Sequence, residues 1–365
     1  MRRSRKPIVI ASRKSKLARI QAQRVGNVLG RLLPGIEIKH HWVESEGDQI
    51  SQGSLAAVGG KGLFTSAVDA AVVAGLADVS VHSLKDLPVN KAEAVPGMAL
   101  AAITKRADAH DCLISRDRYA RLQDLPSNAW VGTSSPRRAA QLQRLRPDLQ
   151  VAILRGNVDT RLSKILSATP DETSGRPFDA TLLAAAGLNR MGLSEHADRP
   201  LPFDDMLPAA GQGALALCCR ATDHVALQRC LQLNSAQTST AVHAEREVVT
   251  RLGGGCFSPI AVLAQQLPPS ETQAKRNADS HWFRLRVRVL SADGQTCLDA
   301  DEKCKTADLR RLVKKVSLDL LKRGAAELLA DAATASIPKP PQTSSSSDSL
   351  DTPNSAATPK QAIHN

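Results

Sequence analysis

Aromatic residues are nearly missing from this chain of 365 residues: three Trp, one Tyr and five Phe, 2% of the total. So few flat rings argue against a nucleic-acid binder that stacks bases on aromatic side chains. No apolar run approaches the roughly 20 residues needed to span a bilayer, so no membrane helix is expected. The apolar stretch Ile8-Val-Ile-Ala11 that follows the basic start is too short for a secretory signal core. A cytoplasmic location is the expectation. Cysteine is odd in number, at seven, and no pair is spaced Cys-x-x-Cys. Neither a disulfide framework nor a zinc site follows, and no metal is expected. Acidic residues are absent from the first 36 positions, which hold ten Lys or Arg. The whole chain carries a net +12, which favours an anionic partner. Charge alone would fit nucleic acid, a membrane surface, or a small polycarboxylate or polyphosphate.

What is present is an ordinary globular composition, 42% apolar, in a chain long enough for two or three domains. The pattern is mainly strand and helix in alternation. Ile8–Ala11, Ile36–Val43, Asp78–Ser83, Val151–Leu154 and Ala180–Ala185 read as strands. Leu17–Leu33, Phe64–Ala74, Pro136–Leu145 and Thr160–Leu166 read as helices. Such alternation predicts parallel α/β sheets. Gly/Pro clusters near 88–97 and 199–213 suggest crossings between two lobes. From 281 the character changes: Phe283, Leu285, Val287 and Val289 alternate with arginines, Asp293-Gly294 signals a hairpin, and Leu309–Leu321 has one apolar helical face. This is a separate α+β module. From about Ser336 the chain turns Ser-, Pro- and Thr-rich, and a disordered tail is expected.

The run Arg251-Leu-Gly-Gly-Gly-Cys256-Phe-Ser-Pro259 strips side chains from the approach to one thiol, the strongest side-chain nucleophile. A flexible loop with an incidental free cysteine is the plainer reading. Elsewhere one arrangement recurs: a strand ends, a polar turn with arginine follows, and a helix begins. It occurs at Ile10-Ala-Ser-Arg13-Lys-Ser15, at Gly132-Thr-Ser-Ser135-Pro-Arg137-Arg138 and at Leu154-Arg155-Gly-Asn-Val-Asp-Thr-Arg161. Helix N-termini and arginine forks both suit carboxylates, and three such turns converging would hold a molecule carrying several. Lys85-Asp86 sits where a strand runs out. Asp86 reads either as a turn residue or as an acid/base group and cation stabiliser. Gly59-Gly60-Lys61-Gly62-Leu63-Phe64 is a loop without Walker spacing. His82 reads as a core histidine, and His243 offers only a weak Cys–His pairing with Cys256.

These runs, in this order, resemble the hydroxymethylbilane synthase (porphobilinogen deaminase) family. Val58–Phe64, Val81–Pro88, Val131–Arg138, Leu154–Lys164, Ala185–Arg190, Leu207–Ala214 and Leu252–Cys256 carry the resemblance together with Ile10–Arg13, across roughly residues 8 to 330. It implies two periplasmic-binding-protein-like α/β lobes, residues 1–104 with 205–226 and residues 105–204. A smaller α+β domain over 227–335 and a tail over 336–365 complete the chain. It implies an enzyme of haem biosynthesis that joins four porphobilinogen units into hydroxymethylbilane with loss of ammonia. The product grows on a dipyrromethane cofactor held by a thioether. By the same resemblance Cys256 is the attachment residue and Asp86 the catalytic acid. Arg13, Lys85, Ser135, Arg137, Arg138, Arg155, Arg161, Arg190 and Gln212 contact cofactor and substrate, and Gly60, Lys61 and Phe64 belong to a lid loop. The implied partner is small-molecule porphobilinogen, with no nucleic acid, no membrane and a monomeric chain. A non-catalytic, two-lobed anion-binding protein is the alternative.

Overall fold

The computed structural model describes residues 6–45, 65–171, 175–197, 199–255, 257–268 and 281–334. The expected lid residues Gly60, Lys61 and Phe64, the attachment residue Cys256 and the expected tail lie outside these described residues.

The first lobe is a five-stranded sheet in the order β2-β1-β3-β9-β4. Its strands are β1 (Ile8–Arg13), β2 (Ile38–Val43), β3 (Val79–Ser83), β4 (Met98–Ile103) and β9 (Leu215–Arg220). Ile8, Ile10, Val79, Val81, Leu215 and Leu217 share one face and pack against Ala22, Val25 and Leu29 of helix α1 (Lys16–Leu32). The helix begins where Ser15 can cap it: its Oγ accepts from the Ala18 N–H at 3.4 Å. Helix α2 (Ser66–Val73) covers the other face around Ala11.

The second lobe is a four-stranded sheet in the order β5-β8-β6-β7. Its strands are β5 (Asp111–Ser115), β6 (Trp130–Gly132), β7 (Gln150–Ala152) and β8 (Ala180–Ala184). Helices α3 (Pro136–Leu145), α4 (Val158–Leu166) and α5 (Ala185–Met191) follow β6, β7 and β8.

The sheets are mixed, where alternation alone predicts parallel ones. β9 runs antiparallel to β3 and β4, and β5 antiparallel to β8. Connection geometry explains this. The chain leaves the first sheet after β4 through residues 104–110 and returns through 199–214, both at the end where β3 stops. A strand re-entering at that end must run backwards. The Gly/Pro cluster at 88–97 therefore joins β3 to β4 inside one lobe and is no crossing; the cluster at 199–213 is one.

The third unit is an antiparallel sheet of β10 (Ile260–Leu267), β11 (Trp282–Leu290) and β12 (Cys297–Lys305). Helix α6 (His224–Leu231) leads from β9 into α7 (Ala236–Arg251), and α8 (Leu309–Lys322) and α9 (Ala325–Thr334) follow the sheet. Phe283, Leu285, Val287 and Val289 face the core with Val248, Leu312, Val313 and Val316, as their period of two requires. Arg286 is a partial exception. It is only 8% exposed, reaches Asp204 at 2.7 Å and lies over the Phe203 ring. Arg288 Nη1 donates to Gln141 of α3 at 3.2 Å, so the third unit leans on the second lobe.

Candidate active site

A cleft of about 340 Å³ opens between the lobes, at the carboxyl ends of β1, β3, β6 and β8. This is where an α/β sheet offers helix N-termini and loops to a ligand. Arg13, Lys85, Asp86, Ser135, Arg137, Arg138, Arg161, Arg190 and Gln212 all line it. Gly255, Phe257 and Ser258 line it as well, so both described neighbours of Cys256 belong to the wall. At Gly254 an added Cβ would meet the Ile260 side chain and Gly253 has φ +72°, whereas Gly255 faces open space. Arg155 is the one expected residue of the described set that is not part of the wall. Its guanidinium acts on Arg161 next to it and keeps a buried Nη1 without a hydrogen-bond partner.

Each wall residue is placed by its local sequence. Pro136 occupies the first turn of α3 with Ser135 at the cap position. The Ser135 side chain makes no capping bond, which leaves its hydroxyl to the cleft. Asp86 ends the single 3-10 turn Leu84–Asp86, fastened to the returning chain by Leu84 N–H donating to Ala214 O at 3.0 Å. Arg161 is steadied by bonds from Nε to Gly156 O at 2.8 Å and from Nη2 to Ser134 Oγ at 3.0 Å. Arg190 Nη2 donates to Gly213 O at 2.6 Å. Gly213 has φ +93°, and a Cβ there would stand 2.5 Å from Ala107 O, so the two crossings touch where only glycine fits.

Arg137 and Arg138 differ from the picture of two free carboxylate hooks. Both are buried, and both are held by Asp111, a residue the motifs do not reveal. Arg137 Nη2 lies 2.8 Å from Asp111 Oδ2 and Arg138 Nη2 lies 2.6 Å from Oδ1. Arg137 Nη1 also donates to Leu207 O at 2.6 Å. Gln212 joins the cluster, with Nε2 donating to Asp111 Oδ1 at 3.0 Å and to Ala109 O at 2.8 Å, while Lys85 Nζ donates to Gln212 Oε1 at 3.5 Å. Burial alone would raise the Asp111 pKa; Arg137 and Arg138 outweigh it and hold the carboxyl well below the usual range. Arg137 and Arg138 each retain a buried Nε with no hydrogen-bond partner.

The cationic character of the cleft is visible in its lysine and arginines. Burial, then Arg138, pushes Lys85 down to about 8, against the pull of Asp86 and Asp111. Burial and Arg138 bring Arg161 down to about 10, and burial and Arg24 do the same to Arg190. Positive groups are crowded here beyond what the local acids neutralise, so a bound polyanion would relieve their repulsion. Asp86 lies within electrostatic reach of Lys85 and Arg161. Among the described residues no hydrogen bond or ion pair to its carboxylate occurs.

Two further functional residues escape the motifs. Arg246 of α7 lines the cleft, and Glu245 before it is fully buried. Glu245 pairs with Arg106 and accepts from Gly211 N–H at 2.7 Å and Ala264 N–H at 2.9 Å. It thus ties the outgoing crossing, the returning chain and the third sheet together. A Glu-Arg pair inside a helix carries no sequence signal that separates it from a solvated face. His82 is buried in β3 with Nε2 2.7 Å from Asp69 Oδ1, as a core histidine would be. His243 bonds through Nδ1 to Ser239 O of its own helix at 2.6 Å. No group of His, Cys, Asp and Glu among the described residues could hold a metal.

Most of the chain is similar to known proteins. Residues 8–228 match the family described as "Porphobilinogen deaminase, dipyromethane cofactor binding domain", and residues 239–322 match "Porphobilinogen deaminase, C-terminal domain". The chain is 41% identical over 326 residues to the porphobilinogen deaminase of Ralstonia nicotianae, covering 88% of this chain and 91% of that one. It is 39% identical over 327 residues to that of Legionella pneumophila strain Paris, covering 89% of this chain and 98% of that one. Among solved structures, a nutrient binding protein from Burkholderia cenocepacia bound to methionine aligns with 61% of this chain and 90% of its own. Its TM-score is 0.38 and its identity 14%. The chain belongs to the porphobilinogen deaminase family.

Proposed function

We propose that Asp86 and the cationic walls around it carry out the family's reaction in this chain. Four porphobilinogen units are joined head to tail into hydroxymethylbilane, with ammonia lost at each addition, as a step of tetrapyrrole and haem biosynthesis. The observation that carries the residue assignment is a carboxylate, Asp86, with no hydrogen bond or ion pair among the described residues, in a cleft whose other charged lining residues are cations apart from the histidine His82. A two-lobed protein that merely bound anions would use the same cations and would be weakened by Asp86.

The wall fits the dipyrromethane cofactor by its donor set. Guanidinium groups of Arg137 and Arg138, each with an Nε that has no hydrogen-bond partner, suit acetate and propionate carboxylates, and Asp86 suits pyrrole N–H groups. The bound cofactor supplies the pyrrole carbon on which the product is built. We assign its thioether link to Cys256, on the support that Gly255 and Phe257 line the cleft. Arg13, Arg161, Arg190 and Lys85 hold and orient the substrate carboxylates, with Ser135 adding a neutral hydrogen bond and the buried Gln212 holding Lys85 and Asp111 in place. As the carbon–nitrogen bond of the substrate's aminomethyl group breaks and ammonia leaves, positive charge spreads over its pyrrole. The Asp86 carboxylate stabilises that charge. The same oxygen accepts the proton released when the new carbon–carbon bond forms.

We take the domains as 1–104 with 205–226, 105–204 and 227–335, on the support that each holds one sheet; the limit at 226 falls inside α6, whose Ala226 and Cys230 pack into the first lobe. Six described cysteines are all unpaired, which suits a reducing, cytoplasmic setting. A monomeric chain completes the proposal, and light scattering tests it. No described helix is long and apolar enough to cross a membrane.

Turnover of cofactor-loaded Asp86→Asn and Asp86→Glu protein tests the central assignment. Asp86→Asn should lose turnover by about a thousandfold or more while folding normally, and Asp86→Glu should keep a fraction of it. Near-normal turnover in Asp86→Asn would make Asp86 a turn residue. Intact mass should show a pyrrole adduct on the wild-type chain and none on Cys256→Ser; an adduct mapped to another cysteine would move the attachment site.

A further inference from the structure

The segment after Asp86 has an uncommon support. Leu87 and Pro88 are buried, and Pro88 has no N–H to hold it in a ladder. Both of their carbonyls point to one side chain: Arg246 Nη1 donates to Leu87 O at 2.9 Å and Nη2 to Pro88 O at 2.5 Å. A planar fork that grips two successive carbonyls fixes direction as well as distance. Arg246 comes from α7, which ends at Arg251 and runs straight into the glycines before Cys256. The neighbouring Glu245 anchors the same turn of helix to both crossings between the lobes and to the third sheet. Helix α7 is therefore clamped at one point, grips the Asp86 turn at the next residue, and carries the cysteine loop at its end.

We infer that Arg246 is a positioning residue for the reaction: it sets the Asp86 turn against the helix that bears the cysteine loop, so that carboxylate and growing chain keep one spacing. This rests on the reading of Asp86 as the reacting carboxylate. Arg246 acts through the backbone of Leu87 and Pro88 and not by binding substrate carboxylates. Its loss should therefore fall on kcat and leave KM in place. A residue that only stabilised the fold would lower thermal stability without that split, and a substrate ligand would raise KM.

The test is steady-state kcat and KM for porphobilinogen on full-length, cofactor-loaded protein. The variants are Arg246→Gln, Arg246→Lys, Asp86→Glu and the double variant Arg246→Gln with Asp86→Glu, with thermal unfolding alongside. Arg246→Gln should lose roughly 10- to 100-fold in kcat with KM within about twofold, since small misplacement of a reacting group has that size of effect. Arg246→Lys, which keeps the charge and can reach one carbonyl, should recover part of it. In the Asp86→Glu background the same substitution should cost several-fold less, because the carboxylate is already displaced and coupled residues are not additive. Equal losses in both backgrounds, or a rise in KM with kcat unchanged, would overturn the inference. If Arg246→Gln does not accumulate as folded protein, Arg246→Lys decides: a several-fold loss in kcat at constant KM supports the clamp, and unchanged kcat refutes it. Normal turnover in Asp86→Asn would overturn the reading of Asp86 itself, so the two failures are told apart.

Discussion

Replacing Asp111 by asparagine should damage stability and substrate binding together. The side chain is fully buried and holds Arg137 at 2.8 Å, Arg138 at 2.6 Å and Gln212 at 3.0 Å. Asparagine keeps the shape but removes the charge: its amide oxygen can still accept from one guanidinium, while its NH2 turns donors toward the other. Two buried cations are then left without a counter-charge. Breaking a buried ion pair from one side costs about 3–5 kcal/mol. At about 2–4 °C per kcal/mol for domains of this size, the melting temperature should fall by roughly 6–20 °C. The pH dependence has a definite sign. The folded carboxyl titrates below its unfolded value, so its contribution is complete above the unfolded pKa of about 3.9 and fades as pH falls through the folded one. The gap between wild type and Asp111→Asn should thus be full at neutral pH and narrow only in strong acid. Because Arg138 and Gln212 lose their alignment, KM for porphobilinogen should rise at least several-fold. Calorimetry at neutral pH and steady-state kinetics give both readings. A melting point within about 2 °C of wild type, with KM unchanged, would refute the view that one acid organises this wall.

Lys85, pushed to about 8 by burial and by Arg138, should lose its charge as pH rises through that value. KM for the dicarboxylate substrate should climb several-fold between about pH 7 and pH 9 and stay flat in Lys85→Arg; a flat wild-type profile would refute it. Its folded pKa lies below the unfolded 10.5, so its stability contribution should rise with pH between these values, a slope absent from Lys85→Met. Gly213→Ala should destabilise the protein by about 2 kcal/mol or more through φ +93° and the contact with Ala107 O, measured by denaturant unfolding. Arg161→Leu, on the wall, should impair turnover more than Arg155→Leu, which lies behind it; the reverse order would relocate the substrate.

Much of this was legible in the sequence because the relevant signals are local. A strand end followed by serine and a proline at the first helical position places Ser135 and Pro136 almost by itself, although Ser135 makes no capping bond. The period of two in β11 and the spacing of Leu309, Leu312, Val313 and Val316 in α8 fix which faces are buried. The features that stay hidden depend on contacts distant in sequence. Asp111 meets Arg137 and Arg138 only because β5 pairs beside β8. Glu245 meets Arg106 across 139 positions. The strand directions of β9 and β5 depend on where the chain crosses between lobes, and alternation of helices and strands says nothing of that. Arg286 breaks its own alternation because Phe203 and Asp204, from the crossing, come to meet it.

The two acids of the cleft show how contacts separate structure from chemistry. Asp86 and Asp111 are alike in type, both sit near Lys85, and both lie at strand or turn boundaries facing arginines. Asp111 is consumed: two guanidiniums and an amide take up its oxygens, and its ionisation is fixed far from any working pH. Such a group can hold cations in place and can do nothing else. Asp86 stands on the same wall with its backbone held and its oxygens untaken among the described residues. A half-buried carboxylate in that state has oxygens free to meet a cation that visits the cleft. A pyrrole that has just lost ammonia is such a cation, and it exists only during the reaction. The stabilisation is therefore greater at the transition state than in the ground state, which is the condition for catalysis.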